Sequence, residues 1–423
     1  MINTTPEKHR AFLRRAVSPN LFTCTLHPEF IPGLVIANLM TPCLWEWAEH
    51  SGAAGEKENP HKAFAAIQRF LNKKFYHATG QDFAAIWGLQ EARHTLDEEE
   101  RKASAYAMGL IERSLSTAGQ QHPWTLPLIP LLQDGLFPLY VYGTADVLRA
   151  HGKRLGKHTL GVTSCLDECV LAASLALAAG VCRWEDVIFV GSPFHYTVFF
   201  LTAQGTIWFN AKREIFTQAM WEEQCAGQDE EGRARLLLDK LIIADRLICG
   251  NGLKVFPGSE LTGNRDVVAR AVGEVERFAQ ARLEWLHPVP EGGGDHVFTG
   301  LDVVSAGCAG GFGRVQGAVL ERAEQGGAPI LEAALYMFRH PQFCQTEVLH
   351  EAAQTNFYTY LRAASAGSVE DVHAVVESVP GRESFYGPGG RIALPDEVLA
   401  FGTGSEAERE LLCKVMQAHV RAR

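Results

Sequence analysis

Between residues 145 and 260 the hydrophobic pattern changes period: one helix that is apolar nearly all round is followed by three short β-rich runs. In the helix, Leu166, Val170, Leu171, Leu175 and Leu177 alternate with alanines and leave no polar face, so it is predicted to lie buried between other layers. Ser164, followed three residues later by Asp167, reads as a capping box that puts Ser164 at the N-cap and Cys165 at the first helical position. Ala179-Gly180 supplies the C-cap. The runs 187–191, 194–202 and 205–210 are rich in β-branched and aromatic residues and read as strands. Only the short loop Ala203-Gln204-Gly205 separates the last two, which predicts an antiparallel hairpin with His195 near residues 210–213.

Helical periodicity governs the flanks. Residues 63–74 and 95–116 are the clearest helices of a mostly helical N-terminal region, the second opening on Asp97 to Glu100, acids that suit the positive end of a helix. Pro123, Pro127, Pro130 and Pro138 interrupt any helix over 121–142 and mark a junction. An amphipathic helix is predicted over 264–286, stopped by Pro288, and a glycine-rich bridge runs from 291 to 317. Helices are expected again over 329–339, 345–364, 369–379 and 406–420. The predicted organisation is therefore a helical region over 1–120, an α+β core over 121–260 and a mainly helical region over 261–423.

Composition is that of an ordinary globular protein, with 47% hydrophobic and 21% charged residues in 423. A formal charge of −10 provides no basic footprint, so no nucleic acid and no anionic membrane is expected as main partner. No apolar run reaches the length of a membrane span, and the basic residues before Asn20 have no apolar segment behind them, so the expected location is cytoplasmic. Cys24, Cys43, Cys165, Cys169, Cys182, Cys225, Cys249, Cys308, Cys344 and Cys413 are scattered rather than framed and read mostly as reduced and buried; no metal and no cofactor is expected.

Chemistry concentrates in Cys165, His195 and Asn210. A thiol at a helix N-terminus meets unpaired N–H groups that stabilise the thiolate, which predicts a lowered pKa, partly opposed by Asp167. A poised Cys165 would then be alkylated by iodoacetamide well below pH 8. An imidazole can take the thiol proton and return it to a leaving group, and a third polar side chain fixes its tautomer. Judged singly, Cys165 reads as a core hydrophobe, His195 as a strand histidine and Asn210 as a turn residue. Taken together and in this order, they read as nucleophile, general base and orienter. Cys169, one turn deeper, reads as packing.

Over about residues 155–216 the chain resembles the transglutaminase-like superfamily, whose core has a papain-like thiol fold. The residues that carry the resemblance are Cys165, Asp167 and Cys169 on the buried helix, Gly180, His195 leading a strand, then Trp208 and Asn210. Two departures stand out: Asn210 replaces the usual aspartate, as in papain-like thiol proteases, and Tyr196-Thr197 follows the histidine. The resemblance implies acyl transfer through a Cys-linked thioester. The acyl donor would be small or presented by a carrier protein, and an amine or water would resolve the intermediate. The oxyanion hole would use the Cys165 N–H and a second donor, with Trp124 and Gln133 as candidates. A cysteine peptidase or amidase, and a non-catalytic transglutaminase-like binding module, are the alternatives.

Other signals are weaker. The segment 307–313, after the strand-like 301–304, lacks both G-x-G-x-x-G spacing and a P-loop lysine. It reads as a flexible turn or a lid over the thiol, and an oxidoreductase using this bridge for a nicotinamide or flavin nucleotide is the rival class. His350-Glu351-Ala352-Ala353-Gln354 misses a metalloprotease helix because Gln354 stands where the second histidine belongs. His158, in a loop upstream of Cys165, is the rival general base.

Overall fold

A computed structural model of the chain describes residues 13, 29–77, 161–163, 165–192, 195–210, 214–229, 232, 246–249, 252–255, 296–354, 357–384, 386 and 391–422. These fall into two compact units. The first joins residues 29–77 to the described residues of 143–331, and the second takes in 332–422 with Leu13. The expected helices over 95–116 and 264–286 lie outside the described residues, as do Ser164, His158, Trp124 and Gln133.

The first unit opens with α1 (Phe30–Leu39), buried over its whole length because FIPGLVIANL has no polar face. Next come α2 (Pro42–Ser51), with proline in its first turn, and α3 (Pro60–Lys74), where Asn59 caps the helix by accepting from the Lys62 N–H at 3.2 Å. Strand β1 (Phe75–His77) then pairs in parallel with β2 (Gly161–Thr163), which leads into α4 (Cys165–Ala178). Helix α4 ends as predicted. Gly180 adopts φ 67°, its N–H donates to Leu177 O at 3.1 Å and the Val181 N–H to Ala176 O at 2.9 Å, the paired bonds of a Schellman motif.

Strands β3 (Val187–Ser192), β4 (His195–Thr202), β5 (Gly205–Asn210), β6 (Glu214–Thr217), β7 (Arg246–Cys249), β8 (Gly252–Val255) and β9 (His296–Val297) form one antiparallel sheet in the order β6-β5-β4-β3-β7-β8-β9. Helix α5 (Gln218–Cys225) follows β6. The β4–β5 hairpin turns over Ala203-Gln204, with Gly205 at φ 110°, and pairs Thr202 with Gly205 through to Thr197 with Asn210.

Helices α1, α2 and α3 pack on α4, and α4 packs on β4. The core between them includes Phe64 of α3 against Phe200 of β4, with ring centroids 4.1 Å apart. Tyr196, Val198 and Phe200 therefore belong to the helix-packed face of the sheet. Thr197 and Phe199 fall in the opposite phase, and Phe199 stacks on Trp208 at 5.2 Å. One polar clasp crosses the buried helix layer: Asn38 Nδ2 donates to Ser174 Oγ at 3.2 Å, and that hydroxyl donates to Val170 O at 2.7 Å.

Two differences from the sequence expectation have clear causes. The division at 120 and 260 differs from the observed units because β1 and α3 from the N-terminal part are built into the same unit as α4 and the sheet. The run 301–304 is not a strand and the bridge is not a simple turn. They form α6 (Asp302–Cys308), a tight turn, and α7 (Phe312–Glu324). Gly307 allows the close crossing, since a Cβ there would lie 3.0 Å from Val315 Cα.

Helix α8 (Pro329–Phe338) follows α7. The second unit continues with α9 (Thr346–Ala353), α10 (Phe357–Ala366), α11 (Val369–Glu377), α12 (Pro395–Phe401) and α13 (Glu406–Arg421). Within the range 345–364 expected as one helix, α9 ends at Ala353, with Gln354 as its C-cap, and α10 begins at Phe357. Ala363, Val372, Val398, Leu412 and Met416 form the core. Arg339, 2% exposed and at φ 60°, donates through Nη2 to Glu397 Oε1 at 2.8 Å, which also accepts from the Tyr386 hydroxyl at 3.1 Å. Glu408 accepts from the Ala393 and Ser405 N–H groups and from Ser384 Oγ, holding the segment before α12 onto α13.

The fold is α+β and mostly helical. Among the described residues no helix is long and apolar enough to cross a membrane.

Candidate active site

Cys165 is the first residue of α4, as the capping pattern implied, and its side chain is half-buried. Its thiol has the opposite electrostatic character from the one expected of a helix N-terminus. Burial pushes the pKa up from 9.0 to about 12, and the Asp167 and Glu168 carboxylates add to the rise. The N–H groups of Tyr196 and Leu166 bond to the sulfur and pull the other way without prevailing. A helix terminus contributes typically ~0.3–1 kcal/mol, too little to offset desolvation of a thiolate beside two carboxylates. Asp167 is 1% exposed and Glu168 is fully buried. Sequence reasoning saw only Asp167 as an opposing charge and missed Glu168, because acids in a first helical turn ordinarily face water.

The partner strand is the predicted one. The Tyr196 N–H bonds to the Cys165 sulfur, and Tyr196 O accepts from Cys169 Sγ at 3.3 Å, so both thiols of the first two turns are seated on one residue of β4. His195 is the residue before Tyr196, starts β4, and pairs with Ser192 of β3. Asn210 ends β5, where it pairs with Thr197 of β4 and Glu214 of β6. The backbone thus brings all three predicted positions to one end of the hairpin. His195 and Asn210 fall in phase with Thr197 and Trp208, the set opposite the helix-packed face.

The remaining sequence signals resolve into packing. Cys169 is buried, as expected. Cys169 and Cys225 are buried, and Cys165, Cys182, Cys308, Cys344 and Cys413 are half-buried. His350 and Gln354 form an intrahelical contact, Gln354 Nε2 lying 3.1 Å from His350 Nε2. No protein-family model matches the chain, and neither the curated proteins nor the solved structures include a match.

Proposed function

We propose that the first unit contains a transglutaminase-like, papain-like core and that the protein catalyses thiol-dependent acyl transfer, with Cys165 as nucleophile, His195 as general base and acid, and Asn210 as orienter. What supports the reading is one observation: the Cys165 sulfur, on the first residue of a buried helix, bonds to the backbone N–H immediately after His195. Helix, histidine-led strand and Asn210-bearing strand also follow one another in the order the chemistry uses.

The raised pKa dictates how the step runs. The resting thiol is neutral, so its proton passes to His195 as the sulfur attacks the acyl carbon. The tetrahedral centre collapses, the bond to the leaving group breaks, and that group takes the proton from His195. An amine, or water, then attacks the Cys165 thioester with His195 again accepting a proton, and the thiol is restored. An amine acceptor forms or exchanges an amide; water makes the protein an amidase or peptidase. The donor is a small or carrier-presented acyl compound.

A second reading, a non-catalytic binding module, is favoured by the strand phase of His195 and Asn210 and by the protonated thiol. Intact-mass analysis of wild type and Cys165→Ala with acyl thioesters separates the two. A covalent acyl adduct confined to wild type is expected; no adduct across short, long and aminoacyl thioesters supports the binding module.

A further inference from the structure

In the second unit a thiol lies beside an imidazole. Cys413 and Gln417 lie one turn apart on α13, and His373 stands beside them on α11. Cys413 Sγ is 3.8 Å from His373 Nδ1, while Gln417 Nε2 lies 3.2 Å from His373 Nε2 and 3.4 Å from the sulfur. His373 is exposed and Cys413 is half-buried at the edge of the cluster formed by Val372, Leu412 and Met416. These are the residue types of an assisted thiol, and they come together from positions 40 apart in the chain.

Cys169 and Cys225 are buried, and Cys182, Cys308 and Cys344 are held protonated by desolvation. Shallow burial, then the Glu410 carboxylate, raises the Cys413 pKa as well. Cys413 is therefore no spontaneous thiolate and gains reactivity only if a base removes its proton. The carboxamide permits this. A half-turn of the Gln417 amide presents its oxygen to ring Nε2, which fixes the ring proton there and turns the Nδ1 lone pair toward the sulfur.

We propose that Cys413 is a modification site for low-molecular-mass disulfides, with His373 as its proton acceptor and Gln417 as a positioning residue. The thiol proton passes to His373 Nδ1 as the Cys413 sulfur attacks one sulfur of the disulfide. A new S–S bond forms to Cys413, the disulfide's own S–S bond breaks, and the departing thiolate takes the proton from the imidazolium. One disulfide is consumed and one thiol released, so the incoming disulfide is the whole oxidant. This site is independent of the acyl-transfer reading.

The test uses the full chain carrying Cys165→Ala, treated with oxidised glutathione at pH 7, followed by intact mass and peptide mapping. The first adduct is expected to be a single glutathionyl group on Cys413, absent from the Cys413→Ser variant. His373→Ala should slow its formation at least tenfold, the low end of what a positioned base supplies. Removing an exposed ring from beside the sulfur would by accessibility alone leave the rate unchanged or raise it, and either of those results overturns the proposal. So does a first adduct on Cys182, Cys308 or any other thiol. His373 is exposed, so unchanged melting of the alanine variant controls for folding.

Discussion

The state of the Cys165 thiol gives the sharpest prediction. An ordinary thiol here has a pKa of 9.0, and the site raises it to about 12. Three pH units mean on the order of 10³-fold less thiolate at any pH below 9, and iodoacetamide consumes only thiolate. In a Cys413→Ser background, alkylation of Cys165 at pH 7.5 should therefore be about 10³-fold slower than that of an unperturbed thiol. Its rate should climb tenfold per pH unit to at least pH 10 without levelling. Site-resolved mass spectrometry of the alkylated peptide across pH 6 to 10 reads this directly. A plateau beginning below pH 8 would mean a preformed thiolate–imidazolium pair, and the desolvation argument would be wrong.

Other outcomes follow from the same structure. Glu397→Gln removes the counter-charge of Arg339, whose side chain is only 2% exposed, and should cost about 3–5 kcal/mol in denaturant unfolding; a loss under about 1 kcal/mol would show the pair is not buried in solution. Ser174→Ala takes away the acceptor of Asn38 Nδ2 inside the helix layer and should cost about 1–3 kcal/mol, measured the same way, with no change in sheet content by circular dichroism. Alkali should destabilise the fold. Cys165, Cys308 and Cys344 are raised by burial from 9.0 to about 12, so unfolding releases their protons above pH 9. The melting temperature should hold steady with respect to these groups below pH 9 and fall from pH 9 toward 12; a rise over that window would contradict the burial of these thiols.

What could be read from the sequence was local. The hairpin announced itself because Ala203-Gln204-Gly205 separates two β-rich runs by a turn's length, and Gly180 marked the helix end because only glycine takes φ 67° cheaply. The helix beginning at Cys165 followed from its apolar periodicity. Non-local pairings gave no such sign: β1 joins β2 from far upstream, and β7 enters the sheet beside β3. Residues 301–304 misled because valines favour strands, whereas close packing of Gly307 on Val315 selects a helix. The thiol's raised pKa was hidden for the same reason, since the burial of Asp167 and Glu168 is a property of the assembled layers. His373 and Cys413 meet only through the packing of α11 on α13.

In the proposed reaction the Cys165 proton goes to His195 during acyl transfer. Single-turnover acylation of Cys165 by an acyl thioester at pH 7, compared between wild type and His195→Ala, tests it most directly. The acylation rate should fall at least about 10²-fold with the fold intact. Equal rates in the two proteins would contradict it.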